Sequence, residues 1–190
     1  MKGRFEQWRN LTGIPHPIRS SGRFIYWRDH GLYWETLEPI SQASTFTPNT
    51  IIHWQSTPTS RQADRISSPV QKQISRILLA VFGSDIRSLE KLFDSRWNSK
   101  PEPGAKLWTV DLTPTMAAAK RVVEKITLSG ENYINSLNLD ASNGDTTRIH
   151  FTDIRAFAHP ASDDCQYFDL DSSLCPGDKT APPPLNRMEP

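Results

Sequence analysis

Arg23-Phe24-Ile25-Tyr26-Trp27-Arg28-Asp29-His30-Gly31-Leu32-Tyr33-Trp34-Glu35 is the stretch on which the fold class turns. Two runs dense in aromatic and β-branched residues flank Asp29-His30-Gly31, the composition of two strands joined by a tight turn. Glu38-Pro39 closes the second strand. Upstream, Phe5, Gln7 and Arg9 face one way while Glu6 and Trp8 face the other, before a break at Gly13-Ile14-Pro15-His16-Pro17. Downstream, residues 43–47 and 50–55 form the next pair, with Pro48-Asn49 supplying the turn chemistry.

The period then changes. Ser68-Pro69-Val70-Gln71 combines an N-cap serine, proline at the first helical position and a glutamine three residues after the cap, which marks a helix start. Val70, Ile74, Ile77, Leu78 and Val81 repeat at helical spacing, and Gly83 offers a left-handed stop. A second short helix is predicted from residue 85 to about residue 93, capped by Ser84, with Ile86, Leu89, Leu92 and Phe93 on its apolar side. After a turn-rich stretch at residues 98–105, strands resume at residues 106–112, where Pro114 interrupts, and continue at 121–128, 133–139 and 146–154. Asn143-Gly144-Asp145 makes the last hairpin turn. The sum is an α+β arrangement of about eight or nine antiparallel strands with a helical insert, one sheet packing its apolar face under helices. One domain is expected over residues 1–168. The acidic and then Pro-rich residues 169–190 cannot bury enough apolar surface to order themselves and read as a mobile tail.

Charge narrows the partners. Twenty-two basic residues against 21 acidic ones leave a net charge of +1, too weak a field to gather a polyanion. The basic-aromatic interleaving of residues 23–28 therefore does not read as a nucleic-acid stacking surface, although its composition resembles one. The longest apolar run, residues 77–82, is six residues, well short of the roughly 18–20 a membrane span requires. No secretory signal is visible, because Met1 leads straight into Arg4-Phe5-Glu6-Gln7-Trp8-Arg9. Cys165 and Cys175 leave both a local disulfide and two free thiols open.

The order Phe5-Glu6-Gln7 to Pro17, Ser21-Gly22-Arg23-Phe24, Gly31-Leu32-Tyr33-Trp34-Glu35 and Pro39 resembles the opening of the LolA superfamily, in its LolA-like branch. Leu107-Trp108-Thr109-Val110-Asp111-Leu112-Thr113-Pro114, Ile126-Thr127-Leu128-Ser129-Gly130, Asn143-Gly144-Asp145 and residues 147–151 continue the pattern in order, so that the resemblance covers about residues 4–157. It implies an incomplete, strongly curved antiparallel barrel closed by a helical lid over an apolar cavity. The family places an amphipathic helix before its first strand, whereas this chain begins at that strand. The expectation is therefore that a signal segment and that helix are encoded upstream of Met1. The last twenty or so residues have no counterpart in the pattern.

The resemblance also implies roles. Arg28, six residues before Trp34, matches the arginine that latches the lid in the family's lipoprotein carriers through hydrogen bonds to lid carbonyls, a task suited to a permanently charged group with five donors. The alternative is a solvated turn arginine beside Asp29. Phe24, Tyr26, Leu32, Trp34, Ile74, Ile77, Leu78, Val81 and Leu89 are the candidates to line the cavity, against the alternative that they fill a solid core. The five histidines lack ligand spacing, the Asp163-Asp164 and Asp169/Asp171 pairs do not form a calcium loop, and no metal or cofactor is expected. No nucleophile elbow, phosphate loop or His-Glu-x-x-His pair points to catalysis. The implied function is a periplasmic carrier that passes lipid or lipoprotein acyl chains from an inner-membrane transporter to an outer-membrane acceptor. The alternative is a non-catalytic envelope adaptor with the same fold and a filled interior.

Overall fold

Alternation on the hairpin of residues 18–38 dictates the layering. In the computed structural model, which describes residues 1–56, 61–66, 69–83, 85–99, 107–158 and 160–168, Phe24, Leu32 and Trp34 point to one face of a sheet. Ile25, Trp27 and Tyr33 point to the other. Both faces of this hairpin are covered, which is why it reads as almost continuously apolar.

The strands are β1 (Lys2–Asn10), β2 (Ile18–Trp27), β3 (Gly31–Glu38), β4 (Gln42–Phe46), β5 (Ile51–Ser56), β6 (Arg61–Ile66), β7 (Phe93–Ser99), β8 (Trp108–Pro114), β9 (Val123–Gly130), β10 (Ile134–Ala141) and β11 (Thr146–Arg155). They form one open antiparallel sheet in the order β6-β5-β4-β3-β2-β1-β11-β10-β9-β8-β7. The first and last strands meet in its middle, Phe5 opposite Phe151, and β6 and β7 are its two edges. Helices α1 (Pro69–Phe82) and α2 (Ile86–Glu90) connect those edges. Short helices α3 (Ala117–Lys120) and α4 (Ser162–Cys165) lie elsewhere, and a 3-10 turn, Gln166–Phe168, follows α4.

The inner face carries the main core. Ala80, Val81 and Phe82 from the last turn of α1 and Leu89 from α2 pack with Phe5, Phe24, Leu32, Val110, Leu112, Ile126, Leu128 and Phe151. Phe82 sits 5.1 Å from the Phe24 ring and 5.4 Å from Phe151, tilted or edge-on as the ring quadrupoles prefer.

A second layer covers the outer face. Phe157, Cys165, Tyr167 and Phe168 pack on Ile25, Trp27 and Tyr33, and the Tyr167 and Tyr33 rings stack at 4.1 Å. The buried Thr45 hydroxyl donates to the Tyr167 carbonyl at 2.6 Å and accepts from Trp54 Nε1 at 2.8 Å. Arg23 binds Glu35 and donates to the Tyr167 hydroxyl. Cys165 is disulfide-bonded; Cys175, the other cysteine of the sequence, lies outside the described residues.

Several expectations are corrected. Among the described residues the strand count is eleven rather than eight or nine. The additional strands are β6, Arg-Gln-Ala-Asp-Arg-Ile, and β7, Phe-Asp-Ser-Arg-Trp-Asn-Ser, whose polar composition suits edges with one unpaired side and hides them from a hydrophobic pattern. Helix α2 stops at Glu90 instead of reaching residue 93, and Phe93 opens β7 opposite Pro114. Its cap is Asp85, which accepts from the Ser88 backbone N–H; Ser84, expected in that role, and the α1 cap Ser68 lie outside the described residues. Pro114 ends β8 rather than following it, since a terminal strand position needs no ladder donor from the ring nitrogen. The predicted tail, 169–190, also lies outside the described residues.

Candidate functional site

Tyr26 ends the inner-face row of β2 and, with the turn that follows, meets the end of α1. The closeness depends on Gly83. A Cβ there would lie 2.6 Å from the Tyr26 hydroxyl and 2.9 Å from the Leu79 carbonyl oxygen, so any larger residue would push the Tyr26 ring away from the helix end. Between the β2–β3 turn and the α1–α2 segment lies a cleft of about 630 Å³. Its apolar wall is Tyr26, Leu79, Ala80 and Leu92; Arg28, Arg76 and Lys91 bring cations, and Asp29 and Asp85 bring carboxylates. Pockets of this size are in the range that holds small molecules.

The charges are unequally engaged. Asp85 accepts from Ser88 Oγ at 2.6 Å and from the Ser88 backbone N–H at 3.1 Å, and these bonds hold its carboxyl below the ordinary value. Burial pushes the Tyr26 phenol up; Arg28 opposes that shift while Asp29 and Asp85 add to it. The Met1 amine donates to the Tyr26 carbonyl at 2.8 Å, and burial, then the charge of Arg28, lowers it to about 6. Among the described residues, the side chains of Arg28, Arg76 and Lys91 make neither a hydrogen bond nor an ion pair.

The sequence-predicted residues separate into two groups. Arg28 and Tyr26 stand at the cleft. Phe24, Leu32, Val81 and Leu89 are almost fully buried in the core, with Trp34, Ile77 and Leu78 partly buried against it. Ile74 belongs to α1, but its side chain lies outside the described residues. Sequence reasoning did not single out Arg76, Leu79, Asp85, Lys91 or Leu92 for this site. A signal existed for part of the set, because Arg76, Leu79, Ala80 and Gly83 follow helical spacing on a side of α1 other than its Val81–Phe82 edge. Among the described residues no group of His, Cys, Asp and Glu could hold a metal ion. No helix among them is long and apolar enough to cross a membrane.

An open, eleven-stranded antiparallel sheet with two helices against its inner face and a cleft at one end defines the architectural class. Solved structures similar to the chain include LolA superfamily proteins, the family its motifs resemble. The LolA superfamily protein NE2245 of Nitrosomonas europaea is similar at 10% identity and a TM-score of 0.44, over 84% of this chain and 86% of that one. A Vibrio parahaemolyticus domain ascribed to outer membrane lipoprotein sorting matches at 10% identity and a TM-score of 0.38, over 86% and 87%. The Pseudomonas aeruginosa MucA/MucB complex matches at 16% identity and a TM-score of 0.46 over 86% of this chain, which spans about half (53%) of the matched chain's length. No family model matches, and no curated protein matches in sequence.

Proposed function

We propose that the protein is a non-catalytic periplasmic carrier that takes a lipid or lipoprotein acyl chain into the cleft between the β2–β3 turn and α1, for transfer from an inner-membrane donor to an outer-membrane acceptor. The observation that carries this reading is the 630 Å³ cleft with its wall of Tyr26, Leu79, Ala80 and Leu92. Each methylene buried there contributes about 0.8 kcal/mol before the cost of association, so a partly covered acyl chain is held weakly enough to be released as well as captured. In this reading α1 and α2 act as the lid. The route and compartment rest on the sequence resemblance to LolA-like carriers.

The packing of the inner face favours a second reading. Phe5, Phe24, Trp34, Phe82 and Phe151 fill the centre of the sheet, as an adaptor that recognises a protein partner would allow. Delipidated protein titrated with a fluorescent fatty acid separates the two. Saturable uptake, lost on Leu79→Asp with the fold intact, supports the carrier. Absence of uptake together with co-purification with an envelope protein supports the adaptor.

A further inference from the structure

Resting on the carrier reading, we propose that the cleft selects amphiphiles with an anionic head, a carboxylate or phosphate held by Arg28, Arg76 and Lys91 while the acyl chain follows Tyr26, Leu79 and Leu92. The three cations come from three different segments: the β2–β3 turn, the middle of α1 and the residue after α2. They converge on one cleft without hydrogen-bond or ion-pair partners among the described residues. Scattered surface cations are ordinary. Three of them around a single concavity with an apolar wall form the two-part surface that an anionic amphiphile complements.

The two carboxylates at the cleft do not cancel this field. Asp85 is occupied by both donors of Ser88 as the cap of α2. Even with Asp29 counted in full, three cations face two carboxylates, leaving an excess of one positive charge. The two guanidinium forks match the paired oxygens of a carboxylate or phosphate, and the lysine adds a point charge. Arg28 thereby has a task other than binding helix carbonyls: it holds the cargo's head where the β2–β3 turn meets the helices.

The test uses the full chain, delipidated, and four ligands with the same twelve-carbon tail: dodecanoic acid, dodecyl phosphate, dodecanol and dodecylammonium, titrated calorimetrically at low salt. The acid and the phosphate are expected to bind roughly ten-fold or more tighter than the alcohol, and the ammonium more weakly than the alcohol. The rank of acid against phosphate tells a fatty-acid head from a phospholipid-type head. The triple variant Arg28→Gln, Arg76→Gln, Lys91→Gln should bring the anionic ligands down to the alcohol's affinity and leave the alcohol unchanged, with an unaltered denaturation midpoint. Arg28→Lys with Arg76→Lys keeps the charge and should retain most of the preference. Equal affinity for all four heads overturns the head assignment and leaves the carrier reading standing. Binding of none of them overturns both.

Discussion

The Phe5 and Trp34 rings stack at 3.9 Å although their strands, β1 and β3, are not neighbours. Between them runs β2, where Gly22 lies opposite Phe5. A Cβ at Gly22 would fall 2.8 Å from the Phe5 ring and 1.9 Å from the Glu35 carbonyl oxygen. The missing side chain is what lets one ring reach the other over the intervening strand. Gly22→Ala is therefore expected to cost at least about 1–3 kcal/mol in urea unfolding, with a changed near-ultraviolet signal from Trp34. An unaltered midpoint would show that the sheet yields there without loss.

The two sides of α1 should respond differently to truncation. Phe82 is buried among Phe24, Trp34 and Phe151, so Phe82→Ala is expected to destabilise by about 3–5 kcal/mol. Leu79 is only partly buried, packed against the core on one side and bordering the cleft on the other, and Leu79→Ala should cost less stability and more acyl-chain affinity. Parallel denaturation and fatty-acid titration of both variants measure the contrast; equal stability losses would argue against an open cleft beside Leu79.

Thr45 fastens the outer layer by donating to the Tyr167 carbonyl and accepting from the Trp54 indole. Thr45→Val keeps the shape but removes both hydrogen bonds, at a cost of about 1–3 kcal/mol. Hydrogen exchange should rise first at residues 165–168. Unchanged exchange there would remove the fastening role.

Acid sensitivity follows from Asp111. Hydrogen bonds from Thr127 and then Asn98 hold its carboxyl below the ordinary 3.8, and Asp85 and Asp145 are lowered likewise by their own donors. A depressed carboxylate contributes stability that is fully present above the unfolded value and lost as pH falls through the folded one. Thermal midpoints should accordingly hold steady above about pH 5 and fall below about pH 4. Asp111→Asn should flatten part of that slope, and an unchanged slope would mean the acid limb originates elsewhere.

Ser75 of α1 is fully buried, and its hydroxyl has no hydrogen-bond partner among the described residues. Relief of that unmet desolvation outweighs the loss of one small atom, so Ser75→Ala is expected to raise stability by about 1 kcal/mol. A fall of similar size in the urea midpoint would mean that the hydroxyl is satisfied in solution.

What the sequence disclosed follows from how strongly each element is patterned. Asp29-His30-Gly31 and Asn143-Gly144-Asp145 stand where the turns form, and the spacing from Val70 to Val81 falls within α1. Strands β6 and β7 escaped notice because edge strands keep polar residues on a half-solvated ladder. The end of α2 was misplaced because Phe93 suits an apolar helix face as well as the strand it opens opposite Pro114. At the cleft, Arg28 and Tyr26 were legible from the hairpin. Arg76, Asp85 and Lys91 were not, since only the folding of α1 and α2 against the sheet brings them beside residues some fifty positions earlier in the chain.

Because Ile66 and Phe93 belong to opposite borders of the sheet, the helical stretch between them works as the string of a bow whose limbs are the two outermost strands. Phe82 and Leu89 tie that string to the centre of the bow. Displacing the helices to admit a guest must therefore alter the separation of the limbs. Occupancy would then be reported far from the guest itself, in the distance between β6 and β7.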